Sequence, residues 1–442
     1  MTDNATINRM NGTSENTVWD VAVIGGGPAG MMAAGQAAEL GAKVILLEKN
    51  DSLGQKLLIT GGGRCNVTNA EFDTRKLLSK FKDSDKFLFS AFSQWSVKET
   101  LDFFHNHSMQ TKIEAGQRVF PASERSQSVW DVLVDHMRTV GVTVRSNSPV
   151  KGFVKRSSDA GADKKKNIGE IEAVELKNKE LIYAKKFILA TGGKSRPETG
   201  STGDGFDWLR TLGHTVTEPT ASLVPIAIKE PWVKTLQGVP LENTKITVLQ
   251  NGEKQSMKKG KILFTHFGLT GPTILNMSKD IGELLKYGEV QISLDLLPTL
   301  DYGQLNLKLQ EIFSEEATKK FKNSLKSLVQ SSIAPIIVEL SGINPDMTCN
   351  SISREERLRL VQLFKDVRIT VEGLLGVDKA IVTSGGVALD EVDFRTMQSR
   401  LFPNLYLVGD ILDIDRPSGG YSLQLCWTTG FVAGTAAASS KN

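Results

Sequence analysis

Cysteine is scarce: the chain has three, Cys65, Cys349 and Cys426, far apart and without a CxxC pair. That spacing argues against a disulfide framework and against a zinc site, and it suits a reducing compartment. No metal site is expected. A charge excess is lacking too, since the net charge is +3 over 442 residues. Composition therefore gives no reason to expect nucleic acid as a partner. No apolar run reaches the roughly 18 residues that a membrane span needs, so no membrane is expected either. Residues 1–17 are rich in Asn, Thr and Ser and lack an apolar core, which reads as a disordered tail and not a signal peptide. The expectation is a cytoplasmic protein with a small-molecule substrate, of undetermined oligomeric state, and long enough for two or three domains.

What the chain does have is glycine, clustered behind short apolar strands. Val21 to Ile24 runs into Gly25-Gly26-Gly27-Pro28-Ala29-Gly30. Gly25 allows the tight turn, Gly27 lets backbone approach a pyrophosphate, and Gly30 lets the following helix pack on the strand. That helix, from Ala29 to Leu40, offers its N-terminal amides to the phosphates. A second strand, Lys43 to Leu47, ends at Glu48, at the offset from the glycines where a carboxylate binds ribose hydroxyls.

A further glycine cluster follows in KLLITGGGRCNVTN, residues 56–69. A nicotinamide-binding fold usually has no need for it, whereas an extended FAD does. Gly61 to Gly63 and Arg64 could hold phosphate or flavin oxygens, and Cys65 and Asn66 sit beside them. Phe187 to Ala190 is another apolar strand, delivered to Thr191-Gly192-Gly193. At the far end Leu405 to Val408 runs into Gly409-Asp410, and Gly419-Gly420-Tyr421 opens a small-residue helix over Ser422 to Ala438. Asp410 suits the ribityl hydroxyls. The helix N-terminus suits the N1–C2=O edge of a flavin. Lys49, Lys56 and Val150 complete the expected cofactor-binding set.

Between these ends the texture changes after Pro219. Lys245 to Gln250 before Asn251-Gly252 reads as a β hairpin. Gln304 to Ser331 and Arg354 to Phe364 read as helices, the second capped by Ser353 and Glu356, with Pro335 and Pro345 breaking the region between them. Gly200 to Gly205 opens a helix that Gly213 stops; its glycines and helix N-terminus could approach the flavin's pyrimidine edge, or Asp204 could simply cap the helix. The polar stretch 157–169 reads as a solvated hairpin tip. Phe264 to Pro272 places His266 beside a glycine hinge, where it could relay a proton or simply bond to backbone.

The chain resembles the BaiN/YhiN flavoprotein family, also called aminoacetone oxidase-like. The resemblance is carried by GGGPAG (25–30), TGGGRCNVTN (60–69), ATGG (190–193), FTHFGLTGP (264–272), TSGGV (383–387) and GDILDIDRPSGGYSLQ (409–424). It implies an α/β fold, a Rossmann-like FAD-binding domain of the two-dinucleotide type interrupted by a β-barrel and a small helical insert. The expected bounds are 18–195 and 381–442 for the FAD domain, 196–298 and 349–380 for the barrel, and 299–348 for the helical insert. The family tail has Glu where this chain has Asp410, a swap that keeps the charge and changes only the reach.

The expected function is an FAD-dependent oxidoreductase passing a hydride between non-covalent flavin and a small organic substrate. Arg64, His266, Arg416 and Tyr421 are the candidates to line the pocket. With a single GxGxxG there is no dedicated nicotinamide domain, so a reductase would take up NAD(P)H transiently. An amine oxidase using oxygen, and a redox-sensing or macromolecule-modifying module, are the alternatives.

Overall fold

The computed structural model describes residues 17–156, 169–376 and 382–439. Most of the expected tail and of the 157–169 hairpin tip, and the expected domain bound at 380–381, lie outside the described residues. The chain forms two compact units, one holding residues up to Thr220 and from Val382 onward, the other Ala221 to Ile381.

The first unit is built on a twisted sheet of mainly parallel strands. Trp19–Ile24 (β1) pairs in parallel with Val44–Leu47 (β2) on one side and with Leu181–Leu189 on the other. Thr143–Arg145 extends the sheet beyond β2. On its edge away from β1 the strand Leu181–Leu189 serves two further partners. Its first half pairs antiparallel with Ile171–Leu176, and its second half takes Leu405–Leu407 in parallel. Val21, Val23 and all of β2 are at most 1% exposed, as expected of strands covered on both faces.

The two chain ends meet through two helices. Pro28–Glu39 (α1) follows the first glycine turn, with Pro28 at its first position, where a missing N–H costs nothing. Tyr421–Ser439 crosses it with small residues at the contact. A Cβ on Gly430 would lie 2.5 Å from the Ala29 carbonyl oxygen, and one on Gly434 would lie 2.5 Å from that of Ala33. Glycines four apart thus settle against alanines four apart, with backbone nearly touching backbone.

In the second unit six antiparallel strands pair in a ring that closes on itself. Its order is Ile226–Ile228, Gly268–Thr270, Glu253–Phe264, Pro240–Gln250, Val290–Asp295 and Val367–Leu374. The helices after residue 299 are not separate from it: Leu305, Leu309, Ile312 and Phe313 share one apolar core with Ile246, Val248 and Ile292.

Several local expectations shift. Residues 196–220, expected with the barrel, lie in the first unit, because Phe206, Leu209 and Leu212 of the helix Asp204–Leu212 bury into its core. Gly203, in left-handed conformation, precedes that helix and its side-chain cap is absent, while Asp204 is instead paired with Lys49. The helix expected over 304–331 ends at Glu315 and gives way to short turns that carry Phe321 and Leu325 into the core. Pro335 starts a helix, Ala334–Ser341, instead of breaking one. The capping box of Ser353 and Glu356 is formed.

Candidate functional site

The first unit brings the N-terminal, central and C-terminal glycine turns to the same end of its sheet. Gly25 (φ +104°) turns the chain so tightly that a Cβ would sit 2.5 Å from the Ala190 carbonyl oxygen. A Cβ on Gly30 would collide with the Gly25 carbonyl at 1.9 Å. Gly27 differs from both. Its backbone is extended, and a Cβ there would meet nothing within 4 Å. Gly25 and Gly30 are therefore glycine because protein is near, and Gly27 borders open space at the head of α1.

Glu48 is buried, and its two carboxylate oxygens each accept a 2.8 Å bond, from the amides of Gly26 and Asn50. The acid is thus pinned beside the glycine turn. Gly61, Gly62 and Gly63 are all left-handed (φ 57°, 70° and 85°), and Cys65 is too (φ 60°). Such a run is a conformation that only glycine takes without strain. Cβ atoms on Gly62 and Gly63 would again meet open space. Two buried side-chain acceptors near these turns lack any protein partner, Asn66 Oδ1 and Thr191 Oγ1. Thr191 and Gly192 (φ 73°) form the turn after the Leu181–Leu189 strand. Val150 starts the strand Val150–Lys155 and is 7% exposed.

At the C-terminal end Gly409 (φ 70°) donates its amide to Thr429 Oγ1 at 3.0 Å. Asp410 follows, held between two cations. Arg416, whose side chain is 0% exposed, pairs with it directly, and Lys56 approaches to 3.5 Å. Burial alone would raise the Asp410 carboxyl, but Arg416 and Lys56 outweigh it and hold it below the usual carboxylate range. Lys56 also donates to Ser195 Oγ at 2.7 Å, so one ammonium ties three distant motifs together. Gly419 is fastened through its carbonyl to Asn69 Nδ2, and a Cβ on Gly420 would strike the Thr68 carbonyl at 2.3 Å.

Of the residues expected to line the pocket, two have other employment. Arg64 pairs with Glu114 at 2.6 Å and Glu124 at 2.5 Å and lies over the Phe120 ring, so its charge is already matched. Arg416 is buried against Asp410, Ser422 and the Ile414 carbonyl and positions the loop, with no face left for a substrate. Lys49, expected at the cofactor, is likewise tied to Thr202 and Asp204. Tyr421 is 8% exposed and stands edge-on to Phe81 at 6.0 Å. Burial, and then the charge of Glu71, raise its hydroxyl above the usual range. His266 is an exposed residue of the second unit, in the turn closed by the Thr265 and Gly268 backbones.

Cys65 is fully buried, and burial pushes its thiol up to about 12, as it does for Cys426. The Cys65 side chain is therefore packing, not a reactive or ligand-facing group. Cys349 is also free and buried. A thiol-specific chromogenic reagent at mildly alkaline pH should accordingly detect almost none of the three cysteines in native protein and all three after denaturation. Rapid native labelling would contradict this packing.

Sequence reasoning missed Ser195 and Thr429. Ser195 sits two residues beyond the ATGG turn, but nothing in the sequence ties it to Lys56. Among the described residues no cluster of metal-ligating side chains occurs, and no helix is long and apolar enough to cross a membrane.

The HI0933-like protein Rossmann domain matches residues 19–436. A 3-dehydro-bile acid delta(4,6)-reductase of Clostridium scindens is 30% identical over 95% of this chain and 98% of its own. A ribosomal RNA dihydrouridine synthase of Escherichia coli is 28% identical over 94% of this chain and 96% of its own. Among solved structures, 3-ketosteroid delta1-dehydrogenase from Sterolibacterium denitrificans shares the fold, at 12% identity and a TM-score of 0.54, covering 96% of this chain and all of the other. With a relative named for ribosomal RNA, balanced charge no longer argues against a nucleic-acid substrate. The glycine turns at the sheet end and the match along nearly the whole described chain place it in the HI0933-like family of Rossmann-fold, flavin-dependent oxidoreductases.

Proposed function

We propose that this protein is an FAD-dependent reductase that adds a hydride to a carbon–carbon double bond conjugated to a carbonyl. The observation that carries the cofactor is a pair of buried polar side-chain atoms with no partner among the described residues, Asn66 Oδ1 and Thr191 Oγ1, together with the open space at Gly27, Gly62 and Gly63. A group with hydrogen-bond donors and phosphates fits that lining. The reaction class is supported by two relatives, one named a delta(4,6)-reductase of a 3-dehydro-bile acid and the other for making dihydrouridine, which differs from uridine by a reduced carbon–carbon double bond next to a carbonyl.

Bound FAD would supply the hydride donor and acceptor. Gly27 and the first amides of α1 would face its pyrophosphate, and Glu48 its ribose hydroxyls. The left-handed Gly61–Gly63 turn presents successive amides suited to an anionic or carbonyl oxygen. Asp410, kept ionised by Arg416 and Lys56, would accept from ribityl hydroxyls. The N-terminus of Tyr421–Ser439 carries a positive dipole end that favours negative charge on the flavin's pyrimidine edge. With both arginines committed to carboxylates, Tyr421 remains the first unit's candidate for proton delivery. The raised Tyr421 hydroxyl keeps its proton at neutral pH.

The purified protein should be yellow, bleach anaerobically with NADH or NADPH, and regain colour on adding a steroid-type enone. Bleaching by amines alone would replace this reading with an oxidase. A colourless protein that takes up no FAD would refute the cofactor assignment as well.

A further inference from the structure

Between Pro240 and Phe264 the chain carries five lysines and two glutamates, an excess equal to the +3 of the whole protein. The rest of the molecule is therefore balanced, and the excess sits on one hairpin. Strand pairing concentrates it further. Lys245 stands directly opposite Lys259 across the two strands. Ile246 and Val248 point into the core at 0% exposure, so the alternation puts Lys245, Lys259 and Lys261 on the solvent face. All five lysines are exposed. Glu242 is taken by Lys261, Lys258 reaches the Asn276 carbonyl, and among the described residues neither Lys245 nor Lys259 has an acidic partner.

Like charges directly opposite on a sheet destabilise it. Such a pair persists where something outside the fold gains from it. We infer that this hairpin is a docking surface for RNA, held through its phosphodiester backbone. Successive outward lysines on one strand lie about 6.6 Å apart, a row of point charges suited to a polymer of point charges. Met257 is the one exposed large apolar side chain on the hairpin, too little to enter a membrane. The hairpin carries no aromatic ring between Pro240 and Leu263, so it offers phosphate contacts and no base stacking. Docking would be indifferent to sequence and steeply dependent on salt. The reductase reading supplies only the purpose of docking, and the binding measurement stands without it.

The test titrates the full-length protein into a labelled, mixed-sequence single-stranded RNA over a range of salt, with melting temperature and flavin content recorded alongside. Lys245→Glu/Lys259→Glu should lower affinity about tenfold or more and flatten the log–log salt slope by about 1.4, because two fewer phosphates are neutralised. Lys259→Glu alone turns a repulsive cross-strand pair into an attractive one. It should weaken RNA binding while the melting temperature holds or rises. The inference is overturned if wild-type protein binds no RNA, or if the variants bind as well as wild type. Binding lost only together with the fold would also overturn it. So would variants that merely aggregate while keeping RNA affinity, since the lysines would then be guarding a strand edge. Lysine-dependent binding to phosphatidylserine vesicles without RNA binding would assign the surface to membranes instead.

Discussion

Gly27→Val is expected to yield a folded protein that has lost its flavin. A side chain at this position meets no protein atom within 4 Å, and the backbone is already extended, so the fold has no reason to object. The isopropyl group would instead occupy the space over the head of α1 where a pyrophosphate must approach. Forcing a branched side chain into a packed contact costs about 1–3 kcal/mol, which puts FAD affinity down by roughly one to two orders of magnitude. The ratio of flavin to protein absorbance after desalting reads the loss. Unfolding without added FAD should match that of wild-type apoprotein. Gly30→Val makes the contrast, because its Cβ would lie 1.9 Å from the Gly25 carbonyl, and that variant should fail to fold. Full flavin retention by Gly27→Val would mean that the open space is not where the phosphates go.

Arg416→Ala should be among the most destabilising single substitutions in the first unit. It removes the completely buried partner of Asp410 and leaves that carboxylate with Lys56 alone at 3.5 Å. Breaking a buried pair from one side costs about 3–5 kcal/mol, most of it for the charge left behind. Adding Asp410→Asn should recover part of the loss, since no uncompensated carboxylate then remains. Denaturant titration of the three variants measures both terms, and a loss below about 1 kcal/mol for Arg416→Ala would show that the pair does not hold the loop. The pH dependence has a definite sign. Asp410 is lowered in the folded protein, so its contribution is complete above its ordinary range and is lost only as pH falls through the lower folded value. Arg416→Ala should therefore flatten the acid limb of the stability curve and leave its shape near neutrality unchanged.

The nucleotide-binding half of the fold was legible because its signals are local. Each apolar strand, each glycine turn and each small-residue helix is contiguous, and the period of buried residues follows from backbone geometry. The expected helix over Ala29 to Leu40 falls at Pro28–Glu39, and the strand from Leu405 at Leu405–Leu407. The middle of the chain was harder to read. Pro335 looks like a breaker in sequence but opens a helix, since proline is compatible with a first turn and not with an interior. The domain bound at 195 came early because only tertiary contact shows which core receives Phe206 and Leu209.

By itself the sequence determined the strand, glycine turn and helix at each end of the chain, because all three are written in consecutive residues. Only the tertiary structure decided what the charged residues do. Arg64 and Arg416 look like free cations in a sequence, yet their partners lie at Glu114 and Glu124 and at Asp410, chosen by folding. Lys245 and Lys259 look unrelated, yet register sets them face to face. A charge acts through space, and its neighbours in space are assigned by the fold.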